Sequence, residues 1–128
     1  MKRLILTLAI LTSLNLNAQT TIGETFHAET YTTERGGNVL MFRNYKYTQL
    51  IDHDSFRVSD LDDLYKVITK GITERVKGDL KYPTTTRGEE LTIEFKGKRV
   101  LFYLYHDYGV SAWTKQFNQK QINQLFGK

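Results

Sequence analysis

The chain has 128 residues, 18 of them basic and 14 acidic, for a formal net charge of +4, and it contains no cysteine. Without cysteine there is no disulfide framework, no thiolate metal site and no acylated cysteine of the lipoprotein kind. The length suits one domain with one core and leaves little room for a second.

Lys2 and Arg3 precede the apolar stretch Leu4 to Leu14, and Asn15-Leu16-Asn17-Ala18 then leads to Gln19. A charged start, an apolar run and a small residue at the junction make residues 1–18 a signal peptide, cut after Ala18. The layout resembles Gram-negative bacterial export signals. Its apolar run is shorter than the roughly 20 residues a membrane span requires. No stable membrane insertion is therefore expected after cleavage, and the mature protein is expected in the periplasm or secreted. The cut removes two basic residues and no acidic ones, leaving a net charge of +2 on residues 19–128. So small an excess gives no electrostatic case for nucleic acid.

Thr25 to Thr33 alternates, with Ala28, Thr30 and Thr32 on one face and His27, Glu29 and Tyr31 on the other, which predicts a strand. Gly36-Gly37 then turns the chain into a second strand around Val39-Leu40-Met41-Phe42. Asn44 punctuates, and the aromatic and β-branched run Tyr45 to Ile51 predicts a third strand ending at the polar corner Asp52-His53-Asp54. Ser59 is the expected cap of the clearest helix, with Asp60, Asp62 and Asp63 in its first turn and Leu61, Leu64, Ile68 and Ile72 forming one stripe. Gly71 and Gly78 weaken its continuation, and Lys77 to Glu89, with Pro83, reads as an exposed connection.

Leu91, Ile93 and Phe95 alternate with Thr92, Glu94 and Lys96, and Gly97 turns the chain into Arg99 to Tyr105 as a second hairpin. Lys96, Lys98 and Arg99 are then a solvated turn. Val110 to Trp113 reads as a short strand, and Thr114 as the cap of a last helix running to Phe126. Each half passes through strands, a His-Asp corner, Val-Ser and an amphipathic helix. Both a βββα duplication and shared local physics produce that order. The fold expected is a single α+β domain over residues 19–128: one antiparallel sheet of about five or six strands with two amphipathic helices on one face.

His53 between Asp52 and Asp54, and His106 beside Asp107, place an imidazole next to carboxylates, as general base catalysis requires. Neighbours on a strand point to opposite faces, so turn closure through local hydrogen bonds is the better reading. Neither HExxH spacing nor a calcium loop is present, since Phe56 and Arg57 stand where a loop starting at Asp52 would need a ligand and a glycine. No serine stands in a GxSxG elbow. Glu89-Glu90 and Glu94 read as charged strand edges rather than paired catalytic carboxylates. No catalytic residue, metal or cofactor is therefore assigned.

The aromatics carry the remaining signal. Strand alternation turns Phe102 and Leu104 inward and leaves Tyr103 and Tyr105 outward, with Tyr47 on the earlier strand. These three are the expected binding residues. The function expected is a small exported non-catalytic binding or inhibitory module acting on a protein or glycan in the cell envelope or medium. The alternatives are a small hydrolase using His53 or His106, and an envelope subunit that self-associates through an open sheet edge.

Overall fold

The computed structural model describes residues 20–25, 27–33, 35–47, 49–107 and 109–128. The signal peptide expected over residues 1–18 and its junction at Ala18 lie outside the described residues.

The first sheet is a meander of four strands: β1 (Thr20–Thr25), β2 (Ala28–Thr32), β3 (Asn38–Arg43) and β4 (His53–Val58), paired in that order. Helix α1 (Leu61–Thr73) follows. The second sheet is the meander β5 (Gly78–Pro83), β6 (Glu90–Lys96), β7 (Arg99–His106) and β8 (Gly109–Trp113). Its fifth strand, β9 (Phe117–Asn118), pairs with the start of β7, and helix α2 (Gln119–Leu125) ends the fold.

The expected single sheet with two helices on one face is thus overturned: the described residues are mostly β, in two antiparallel sheets of four and five strands with two helices. Two sequence features account for the difference. The polar corner at His53 starts β4, whose inward positions Phe56 and Val58 alternate with the exposed Ser55 and Arg57. The supposed connection Lys77 to Glu89 contains β5, an exposed edge strand that ends at Pro83, a residue tolerated there because an edge N–H needs no ladder partner. The sheets do not merge because their facing edges are occupied otherwise. Thr85 N donates to Arg57 O at 2.9 Å beside β4, and Tyr45 N donates to Trp113 O at 2.8 Å beside β8.

The βββα repeat is also corrected. Each half is a four-strand meander and a helix, with the short β9 intervening in the second, so the unit has four strands rather than three; both His-Asp corners lie at the connection between the third and fourth strands. His53 starts the strand that precedes α1, whereas His106 ends the strand before β8.

Inner faces of both sheets share one core. The rings of Phe42 and Phe56 lie 6.2 Å apart, Phe56 and Phe102 6.0 Å, and Phe102 and Phe117 6.0 Å, a continuous aromatic line from β3 to β9. Leu64 and Ile68 of α1 and Ile122 and Leu125 of α2 are buried in the same cluster. Gly71, expected to weaken α1, is required by packing: a Cβ there would collide with the Phe95 ring. Thr114 caps no helix. Its buried hydroxyl accepts from Phe102 N at 3.0 Å, and α2 starts instead at Asn118, which shares a capping box with Gln121.

The cap of α1 is Asp60 rather than Ser59, since Asp60 Oδ1 accepts from Asp63 N at 3.1 Å. Denaturant titration should therefore show Asp60→Ala costing about 1 kcal/mol and Ser59→Ala close to nothing. Leu64→Ala, which empties a fully buried site, should cost roughly 2 to 5 kcal/mol. Equal losses for Ser59→Ala and Leu64→Ala would contradict the docking of this helix.

Candidate interaction surface

Beyond β3 the chain leaves the sheet at Asn44, whose side chain is only 2% exposed and is fully engaged. Its Nδ2 donates to Asp52 Oδ2 and to Ser111 O, both at 3.3 Å, while Oδ1 accepts from Lys46 N at 2.9 Å and Trp113 N at 3.3 Å. Asn44 N also donates to Asp52 O at 2.8 Å. The loop between β3 and β4 is thereby pinned at both ends and held along the edge of β8. Lys46 Nζ adds a bond to Val110 O at 2.9 Å.

Residues between those anchors project from the fold. Leu50 is 67% exposed, Ile51 75% and Tyr47 46%. The expected strand Tyr45–Ile51 is therefore a loop, because the backbone at Asn44 and Tyr45 turns aside to serve β8 instead of continuing a ladder. Tyr47, one of three residues expected to bind, stands on this loop with Lys46 Nζ 5.7 Å from its ring centre.

Tyr103 and Tyr105 stand half-buried on the outer face of the second sheet, as the alternation of β7 requires. Their ring centres are 6.5 Å apart, and Trp113, paired with Tyr103 across β8, lies 6.1 Å from it. Tyr103 Oη donates to Glu94 Oε1 at 3.3 Å. Burial and then the Glu94 charge push its ionisation above the ordinary tyrosine range, so Tyr103 is a neutral donor at any physiological pH. Tyr103 and Tyr105 are thus brought together, and Tyr47 lies on the adjoining loop that Lys46 ties to β8. Leu50 and Ile51 were missed as site residues. Nothing in their local pattern separates an exposed apolar pair from the end of a strand.

His27 and His53 share one cavity, and His106 lines another. His53 lines a cavity of about 180 Å³ with Glu24, His27, Glu29 and Met41. His27 Nδ1 and Tyr45 Oη are 2.5 Å apart in a hydrogen bond. Burial, with Lys115 and Arg43 nearby, holds His27 below the usual histidine range and so neutral near pH 7. His106 lies elsewhere, against Glu89. Among the described residues no group of three or more His, Cys, Asp or Glu side chains is arranged to hold a metal ion.

Glu89 departs most from its expected role. Glu90 and Glu94 are surface groups near Lys81 at 3.5 Å and Lys96 at 3.6 Å, as charged strand edges should be. The Glu89 side chain is only 7% exposed, with Oε2 4.0 Å from His106 Nε2, while Oε1 is buried without a hydrogen-bond partner. Burial raises its ionisation above the usual glutamate range and Asp54 adds to this, against the opposing pull of Thr84 and His106. Glu89 lines an open cavity of about 440 Å³ with Gly88, Glu90, Tyr105, His106 and Asp107.

Two outcomes follow from these geometries. Asn44→Ala should cost roughly 2 to 4 kcal/mol in denaturant titration, because it leaves Trp113 N–H without its acceptor and unties the loop, whereas the exposed Lys46→Ala should cost under about 1 kcal/mol. Folded Glu89 holds its proton more tightly than the unfolded chain does. Its contribution to stability is therefore complete in acid and is lost as pH rises through its raised value. Glu89→Gln, which cannot ionise, should gain stability relative to wild type between about pH 4 and pH 7. A difference in melting temperature that stays constant over that range would contradict it.

Among known proteins the chain matches no family model, no curated protein and no solved structure.

Proposed function

We propose that this protein is a small exported, non-catalytic binding module, acting in the cell envelope or medium, that captures a protein through the Tyr47-Leu50-Ile51 loop and the adjoining Tyr103-Tyr105-Trp113 face. Export follows from the layout of residues 1–18. The observation that carries the reading is the exposure of Leu50 and Ile51, at 67% and 75%, on a loop whose base is fixed by Asn44. Single exposed aliphatics are ordinary, but a consecutive exposed pair on the same loop as an exposed tyrosine is the apolar content that interaction sites carry. The fixed base matters for affinity, because a loop already closed at Asp52 loses less conformational freedom on docking.

Side-chain chemistry favours a protein over a glycan. Sugars are held by flat aromatic faces and hydrogen bonds, which Tyr103, Tyr105 and Trp113 supply. Leucine and isoleucine on a protruding tip instead seek an apolar pocket, which a folded protein offers and a glycan does not. Aromatic and aliphatic anchors at the centre of such contacts commonly contribute about 2 kcal/mol or more each.

The test is capture from the native envelope and medium by wild type, by Leu50→Ser with Ile51→Ser, and by Tyr103→Ala with Tyr105→Ala. One enriched protein should be bound by wild type and bound roughly 30-fold less tightly by the loop variant, at an unchanged melting temperature. His53→Ala should leave capture intact. Retention of a glycan that depends on the tyrosine pair and ignores the loop variant would overturn the proposal, as would enrichment of a second copy of the same chain alone.

A further inference from the structure

We infer that the cavity around Glu89 is a binding site for an organic cation, specifically a guanidinium group. Three observations converge on it, and it shares only Tyr105 with the interaction surface described above. First, Glu89 is 93% buried by side-chain area, yet Oε1 has no hydrogen-bond partner. A buried carboxyl oxygen left unmatched is costly, and the terminal torsion of a glutamate is soft enough to offer either oxygen to a donor that enters the cavity. The missing partner is a donor.

Second, the wall is acidic. Glu89, Glu90 and Asp107 line the space, with the carboxylate of Asp107 close to Gly88 and Asp54 contributing its charge to Glu89 from β4. The cationic groups facing this ring are His106, 4.0 Å from Glu89, and Lys81, which reaches Glu90 from β5 at 3.5 Å with both side chains well exposed. Thr84, in the segment after β5, hydrogen-bonds the Glu89 carboxyl group and donates to Glu89 O at 3.3 Å, so the open position is at Oε1 alone. A ligand that enters meets more negative charge than positive.

Third, the shape suits a planar group rather than a bare ion. Among the described residues no set of three carboxylate or imidazole ligands is arranged for a metal. Tyr105 instead is one of the lining residues, and the volume of about 440 Å³ takes a side-chain-sized ligand. A guanidinium stacks on an aromatic face while its fork donates to a carboxylate, and an ammonium does this less well.

A bound cation favours the ionised form of Glu89, the form that its burial disfavours. Affinity should therefore rise with pH through the raised ionisation of Glu89.

The probes are N-acetylargininamide, N-acetyllysinamide and calcium chloride, each titrated into the folded domain and followed by amide NMR shifts. N-acetylargininamide should move the amides of Gly88, Glu89, His106 and Asp107 and saturate in the millimolar range, with N-acetyllysinamide at least threefold weaker. Affinity should be higher at pH 7 than at pH 4. Glu89→Gln, of nearly the same shape, should abolish the shifts while remaining folded. The inference is overturned by shifts that persist in Glu89→Gln, by calcium saturating the site at lower concentration than the arginine amide, or by no saturable shift at these amides. A parallel arm identifies the source of the group. Loss of partner capture by Glu89→Gln places the guanidinium on the partner as an arginine side chain, whereas unchanged capture places it on a free small molecule. The titration needs no partner, so failure of the loop surface and failure of this site are read separately.

Discussion

The carboxamide of Asn44 joins the two halves of the molecule. Buried in the gap where β3 ends, it satisfies donors and acceptors on three segments: Asp52 at the far end of its own loop, Lys46 within it, and Ser111 and Trp113 on β8. No other uncharged side chain offers two donors and a two-fold acceptor in so short a reach except glutamine, whose extra methylene would displace the group. The bonds to β8 cover backbone groups that would otherwise form an open sheet edge. They also orient the loop. With its ends closed on Asp52, the apolar tip cannot fold back over the sheet and is presented outward.

Around this joint the fold rests on close approaches that admit no substitute. Phe95 lies against the backbone of Gly71, so α1 settles directly on the second sheet, while Gly23 leaves no space for a side chain against the carbonyls of Gln124 and Leu125. Thr30 Oγ1 donates to Leu125 O at 2.6 Å, which fixes α2 to the first sheet. The helices touch each other through Tyr65 Oη and Asn123 Oδ1 at 2.6 Å. Each sheet is thus bound to one helix and the helices to one another. With no disulfide available, this circuit of packing and buried hydrogen bonds holds two sheets together in a chain of modest length.

What could be read from the residues alone was what local periodicity determines. The α1 stripe Leu61-Leu64-Ile68-Ile72 is buried throughout, and the β6–β7 hairpin turns at Gly97 as its alternation requires. The outward placement of Tyr103 and Tyr105 followed from the same period of two. The elements that escaped are edges: β1, the polar β4 and the exposed β5 have few inward apolar positions, and their pairing is decided by distant neighbours. Tyr45 to Ile51 has strand composition but loses its ladder to Asn44, a tertiary bond that composition cannot report. The burial of Glu89 was equally illegible. It depends on the segment after β5, which crosses to β4 through Thr85 and brings the carboxyl to His106.

Two groups that work against folding, the exposed Leu50-Ile51 pair and the unmatched Glu89, lie near one another, while Ile22 on β1, Val76 after α1 and Leu80 on β5 are exposed on other elements. Lys46 reaches Val110 at the start of β8, Asp54 at the start of β4 acts on Glu89, and Glu89 meets His106 at the end of β7. The exposed Leu50 and Ile51 and the buried, unmatched Glu89 thus share the end where three connections converge. In the core the aromatic line is continuous and the polar groups of Thr30 and Thr114 are bonded, while Arg43 Nε, next to Asn44 in sequence, is buried like Glu89 Oε1 without a hydrogen-bond partner. Leu50 and Ile51 are the most exposed of the described large apolar residues, well above Ile22, Val76 and Leu80. Apolar exposure and an unfilled carboxyl both lose their cost when a ligand covers them, which is what a recognition surface exploits.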